Sequence, residues 1–214
     1  MDVFDVFHDL TIRMPKVPTA VVTRVLTREC TEPLHRETQV EIPHGLVPVR
    51  VVAPVALRKA VYRCALFFRR ELGYDFVQYA IREDDWHSRA FLWVSDPDFT
   101  NKHSVWGACC FRWRKYKDAD PLWAIQWVWL HPYARNHGLM TQAWSYFLAR
   151  FGWFDVEPPY SQAMRHALRK FGWSRPFVRG KGHESTRVAG EEGQICMTMT
   201  TDRSLPVIQT SEMQ

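Results

Sequence analysis

"WLHPYARNHGLM", residues 129–140, carries the chain from one apolar run to another through a Pro, an Arg and a Gly. The residues before it, "LWAIQWV", read as a strand. The residues after it, "LMTQAWSYFLARFGW" (139–153), place Leu139, Ala143, Trp144, Phe147, Leu148 and Phe151 on one helical face. The helix therefore starts beside Gly138, with no Ser, Thr or Asp to cap it. A helix N-terminus leaves backbone N–H groups unpaired and carries partial positive charge. An anion, usually a phosphate, then fits where the cap is missing. Gly138 lets backbone approach such a ligand closely, and Arg135 adds a fixed charge at the turn.

Outward from this turn the pattern is regular. "RAFLWVSD" (89–96), "SVWGACCFRWRKY" (104–116) and "LWAIQWVWLHP" (122–132) are strand-like runs. They are joined by turns rich in Asp, Pro and Asn, so an antiparallel meander is expected. Before them, "PVALRKAVYRCALFFRRELGY" (54–74) reads as an amphipathic helix, with Pro54 at its start and Gly73 at its end. Its Arg residues are expected on a solvated face. After the central helix come a short strand, "FDVEP", and a helix in "YSQAMRHALRKFGW" with Met164, Ala167, Leu168 and Phe171 on its apolar stripe. "QICMTMT" (194–200) reads as a last strand. Residues 179–194 are Gly-rich and charged and read as a loop.

Residues 1–53 read as short strands and loops, "TAVVTRVLTREC" among them, interrupted by five Pro up to Pro48 and by Pro54 beyond. The expected division is an N-terminal extension (1–53), one catalytic-type domain (54–202) and a flexible tail (203–214). No uninterrupted apolar stretch reaches the ~18 residues of a membrane span. The N-terminus lacks the basic and apolar regions of a signal peptide, so a cytoplasmic, reducing setting is the expectation. The five Cys include an adjacent pair and no CxxC, which suits neither a disulfide framework nor a zinc pair, so no metal is expected. A net charge of +5 is too mild to select a partner. Trp127 and Trp129 share one strand face and read as packing beneath helices. No nucleic-acid motif accompanies the Trp residues, so nucleic acid is not expected among the partners.

The motifs resemble the GCN5-related N-acetyltransferase superfamily. In "LHPYARNHGLM", Leu130 matches that family's apolar residue, Arg135 its Arg/Gln and Gly138 its first Gly; Met140 replaces the usual small residue. "SQAMRHALRKFGW" resembles the family's later helix, with Ser161 at the Asn position, Lys170 at the Lys and Gly172-Trp173 at the Gly-Phe. The resemblance spans about residues 57–200. It implies an α/β (α+β) fold: a mixed, mostly antiparallel central sheet with a splayed strand pair, flanked by helices.

The resemblance also implies acetyl-CoA as acetyl donor. Its pyrophosphate would lie on the amides of Arg135, Asn136, His137, Gly138, Leu139 and Met140. Its pantetheine would run along the backbone of Val128, Trp129 and Leu130 like an added strand. An amine of a protein or small molecule would attack the thioester directly. The strand position that often holds a Glu base is Ala124, and the Tyr that often protonates the thiolate is Leu168. Glu157 and Ser161 are the candidate substitutes, with His131 as a further base. A second likeness, to the cohesin acetyltransferases, rests on Trp129 and the acidic-Pro turn "VEPPYS"; their zinc finger has no counterpart in this N-terminus. The alternative function is a related fold that binds CoA or a macromolecule without catalysis. The acceptor and the oligomeric state stay open, a dimer included.

Overall fold

A computed structural model describes residues 14–30, 41–82, 85–116 and 120–174. Six strands form one sheet: β1 (Lys16–Pro18), β2 (Leu46–Val49), β3 (Ser88–Pro97), β4 (Lys102–Arg114), β5 (Leu122–Leu130) and β6 (Asp155–Val156). The order is β2-β3-β4-β5-β6, with β1 pairing beside the start of β4. Every pairing is antiparallel except β5 with β6. Four helices flank it: α1 (Thr19–Cys30), α2 (Val55–Leu72), α3 (Leu139–Phe151) and α4 (Gln162–Lys170). The expected mixed, mostly antiparallel sheet with flanking helices is therefore present. The expected strand at 194–200, the loop at 179–194 and the tail lie outside the described residues.

Strand alternation divides the core into two layers. Val47, Val49, Ala90, Leu92, Ala108, Cys110, Trp127 and Trp129 pack with α2 residues Leu57, Val61, Cys64, Ala65 and Phe68, and with Val22 of α1. On the other face Phe91, Trp93, Cys109, Phe111 and Ile125 meet Ala143, Trp144 and Phe147 of α3 and Leu168 of α4. The latter layer is rich in aromatic residues: Phe111 stacks on Phe151 at 4.3 Å, and Trp144 on Phe171 at 4.3 Å. The Trp127–Trp129 face packs beneath α2 as expected, against Phe68 and Phe67.

Two expectations are corrected. "TAVVTRVLTREC" is the helix α1, not a strand. Val22, Val25, Leu26 and Glu29 fall at helical spacing along its inner side, and packing overrides the β-preference of its Val and Thr residues. Arg58 is not on a solvated face: it is buried, donating from Nε to Ala53 O at 3.0 Å and from Nη1 to Arg82 O. Its guanidinium ties the start of α2 to the segment at Arg82 that precedes β3.

Glu29 is the other buried charge of note. It accepts from Arg150 of α3 at 2.5 Å and from Arg50, just past β2, at 3.0 Å. This ion cluster joins helices from opposite faces.

The register between β3, β4 and β5 contains three irregularities. β3 gains a residue between Val94↔Val105 and Pro97↔His103. β4 steps past Trp106 between Val94↔Val105 and Trp93↔Gly107. β5 steps past Gln126 between Phe111↔Ile125 and Cys110↔Trp127. At the same level β4 and β5 approach closely: a Cβ on Gly107 would meet Trp129 O at 2.5 Å and Leu130 Cα at 2.9 Å. Both are backbone, so neither yields as a flexible side chain would. Gly107→Ala should therefore destabilise the protein by about 1–3 kcal/mol, a cost of overpacking. Chemical denaturation of the two proteins side by side measures it, and a midpoint equal to wild type would show that β5 moves freely away from β4.

Candidate functional site

β6 runs beside β5 for two residue pairs only, Ala124↔Asp155 and Ile125↔Val156. The last tie is Glu157 N donating to Ile125 O at 2.9 Å. Past this point β5 continues to Leu130 while the chain of β6 turns away through Pro158 and Pro159. This is the splayed strand pair.

The bulge at Gln126 decides which amides face the gap. Ile125 O points to β6, while His131 N donates to Trp106 O on β4 at 2.8 Å. Alternation on either side of the extra residue turns the amides of Trp127, Trp129 and His131 to β4. Those of Val128 and Leu130 turn to the open side. Trp129, expected in the cofactor group, thus offers its backbone to the sheet. Its indole packs under α2 and donates to Glu71 Oε2 at 2.7 Å.

The turn after β5 is held from inside. His131 caps a 3-10 turn, Pro132–Ala134, by accepting from Tyr133 N at 3.3 Å. Arg135 donates from Nε to Leu130 O at 2.9 Å and from Nη2 to both oxygens of Glu71 at 2.7 Å. Its charge is met by the last turn of α2, and Arg135 is a strut of the turn. His137 Nδ1 lies 2.8 Å from Arg135 O. Asn136 and Gly138 both have left-handed backbone, φ 64° and 77°. That reverses the chain so that α3 starts at Leu139 with no side-chain cap. Its first backbone bond is Gln142 N to Gly138 O, which leaves the amides of Leu139, Met140 and Thr141 without helical partners. Nothing lies within 4 Å of where a Gly138 Cβ would stand. An exposed, uncapped amide cluster with open approach fits a phosphate group. The Val128 N–H and C=O and the Leu130 N–H fit an extended chain that hydrogen-bonds as a strand does, while the Leu130 carbonyl already accepts from Arg135.

The candidate catalytic residues sit apart. Glu157 is at the parting of β5 and β6, and both its oxygens are engaged by Arg114 of β4: Nε contacts Oε1, and Nη2 donates to Oε2 at 2.8 Å. This bond holds the Arg114 guanidinium above its usual pKa, partly offset by burial. Ser161 caps α4 by accepting from Met164 N at 3.2 Å, leaving its hydroxyl hydrogen available. His131 is five residues along β5 from Gln126, roughly 17 Å at strand rise. Burial and then the Arg135 charge lower its pKa, so the imidazole is neutral near pH 7. Leu168 is buried in the aromatic layer and cannot stand in for a Tyr acid. Burial raises both adjacent thiols, Cys110 to about 12, and they are core residues.

Sequence reasoning missed Glu71, Arg114 and Gln126. Glu71 is hidden in the charged end of α2. Arg114 carried a faint signal: Arg112, Arg114 and Tyr116 alternate along and just past β4, as Asp155 and Glu157 do along and just past β6. The structure pairs them, Arg114 with Glu157 and Tyr116 Oη donating to Asp155 Oδ2 at 3.1 Å.

No helix among the described residues is long and apolar enough to cross a membrane. No family model matches the chain, and no curated protein matches it. Among solved structures it is similar to an xEco2 acetyltransferase domain bound to a CoA conjugate, at 13% identity and TM-score 0.45, over 61% of this chain and 89% of that one. It is also similar to an aminoglycoside N-acetyltransferase in complex with CoA, at 14% identity and TM-score 0.40, over 70% and 99% of the two chains. A ribosomal-protein-alanine N-acetyltransferase from Brucella melitensis biovar Abortus 2308 aligns at 10% identity and TM-score 0.40, over 63% and 99%. These likenesses are distant ones. The strand order and the short parallel pair match the mixed, mostly antiparallel sheet flanked by helices that the sequence led us to expect.

Proposed function

We propose that this protein is an acetyl-CoA-dependent N-acetyltransferase that acts on an amine of a protein or small molecule. The observation that carries this reading is the adjacency of two unsatisfied backbone surfaces. The uncapped amides at Gly138–Thr141 lie at the end of a strand whose open edge starts past Ile125. The strand edge suits a pantetheine and the turn that follows it suits a pyrophosphate. Asn136, His137, Gly138, Leu139 and Met140 form the phosphate turn. Val128 and Leu130 supply the strand-like contacts, with Trp129 anchoring the strand between them. Arg135 holds the turn's shape from behind.

In the ternary complex the amine nitrogen bonds to the thioester carbonyl carbon, and the C–S bond breaks as the tetrahedral centre collapses. The amine loses a proton and the departing thiolate gains one. Glu157 stands where the strands part, on the acceptor side, and is the base for the amine, directly or through a water. Ser161, with its hydroxyl hydrogen unclaimed by the cap, orients that water. Water protonates the thiolate, since Leu168 offers no acid. The second reading, CoA binding without catalysis, is favoured by Ala124 and Leu168 at the positions of the usual base and acid. Thiol release from acetyl-CoA with a panel of amines and lysine peptides tests catalysis. Native mass spectrometry for retained CoA tests binding alone.

Gly138→Asp should abolish acetyl-CoA binding and leave the fold intact. The left-handed backbone costs a side chain about 1–2 kcal/mol, and the carboxylate would face the phosphates across a short gap. Gly138→Ala carries the same strain without the charge and should bind more tightly than the Asp variant. Calorimetry showing unchanged affinity in Gly138→Asp would remove the phosphate-turn assignment.

Arg135→Ala should weaken acetyl-CoA binding less than Gly138→Asp. Its effect should be largely shared with Glu71→Gln, because the two side chains act as one contact. Additive losses in the double variant would show that Arg135 meets the ligand directly.

Glu157→Gln should lower turnover by ~10² or more with acetyl-CoA affinity unchanged. Ser161→Ala should cost less. Wild-type turnover of Glu157→Gln at every pH would eliminate this base and leave proximity of an already neutral amine as the source of rate.

A further inference from the structure

Glu157 does not reach its position unaided. Arg114 is on β4 and Glu157 follows β6, with β5 between them. At a strand spacing of about 4.8 Å, β4 and β6 are roughly 10 Å apart, so the guanidinium meets the carboxylate by passing over β5. Ala124 is the residue at the crossing, paired with Arg112 on one side and Asp155 on the other. Its methyl group leaves the path open, and the Tyr116–Asp155 bond also spans β5. The Arg114–Glu157 pair is largely sheltered, at 33% and 20% side-chain exposure. Gln126, one step past the last β5–β6 pair, lies level with Glu157, and its buried Oε1 has no protein partner among the described residues.

We infer that Arg114 is a positioning residue: it draws the Glu157 carboxylate across β5 onto the floor above Ala124 and fixes which lone pairs face the incoming amine. This rests on the reading of Glu157 as base. A guanidinium fork occupies one lone pair on each carboxylate oxygen and removes rotation about the last side-chain bond. The remaining lone pairs then point in set directions, away from β4 and toward the gap where the strands part. A Lys at the same place would supply charge without the fork. The arrangement explains why a small residue suits position 124: any larger side chain there would lie across the path of the guanidinium.

The test compares wild type, Arg114→Lys, Arg114→Ala and Glu157→Gln in thiol release from acetyl-CoA. The acceptors are spermidine, an aminoglycoside and a lysine peptide, and acetyl-CoA affinity and melting temperature are measured alongside. Arg114→Ala should lower kcat by ~10-fold or more, the cost of a misplaced reacting group, with KM for acetyl-CoA unchanged. Arg114→Lys should recover part of the loss. Millimolar guanidinium should restore part of the rate to Arg114→Ala and none to Glu157→Gln. A slow Glu157→Gln beside an Arg114→Ala of wild-type kcat overturns the positioning role and leaves the base in place. A Glu157→Gln of wild-type rate overturns the base itself. Loss of folding in Arg114→Ala leaves Arg114→Lys to decide, since a Lys variant indistinguishable from wild type would show that the fork is not required. No thiol release by wild type with any acceptor removes both roles.

Discussion

One extra residue in β5 sets the conditions for everything around the site. Without the bulge at Gln126 the strand would keep a single alternation from Leu122 to Leu130. Ile125 could not then present its carbonyl to β6 while Trp129 presents its amides to β4. The inserted residue changes the phase of the strand midway. Its first half is bound on both edges, and its second half is bound on one edge and open on the other. The same change of phase sends Trp127 and Trp129 under α2 while Val128 and Leu130 face α3. A strand that is anchored by large indoles on one face and bare along one edge is a rigid rail.

The turn that follows is neutral where it might have been cationic. Arg135 and Glu71 compensate each other, with Trp129 sharing the same carboxylate. In the proposed phosphate turn, attraction for an anion falls to aligned amides and the start of α3. These act over the length of a hydrogen bond rather than across the Debye length. A site of this kind recognises shape and closely placed oxygens, and it discriminates less by total charge.

Much of this was legible in the residues. The meander, α2, α3 and α4 follow from period and from turn chemistry, and the uncapped helix start at Gly138 is visible as an absence. The α1 segment was not legible, because "AVVTRV" satisfies a strand alternation and a helical stripe alike, and burial of Val22 and Glu29 makes the choice. The site was half legible. The proposed backbone ligands come from the motif, and local spacing puts Glu157 and Ser161 near the end of the short strand. Contacts that cross strands cannot be read from spacing. Arg114 with Glu157, and Glu71 with Arg135, are 43 and 64 residues apart in the chain. The bulge is silent too, since Gln126 in "AIQWVW" looks like an ordinary polar position.

The cluster of Glu29, Arg50 and Arg150 bears on how the sheet is finished. β2 is a terminal strand of the main sheet, yet all four of its residues are buried. α1 lies against it, and the ion cluster closes around the corner where the strand ends, linking α1 to α3. Pro48 removes one backbone donor from the strand as well. A short strand, covered on one side and lacking a donor, is a poor template for another chain. The clasp thereby keeps α1 seated over this margin and shields the strand from pairing with another chain.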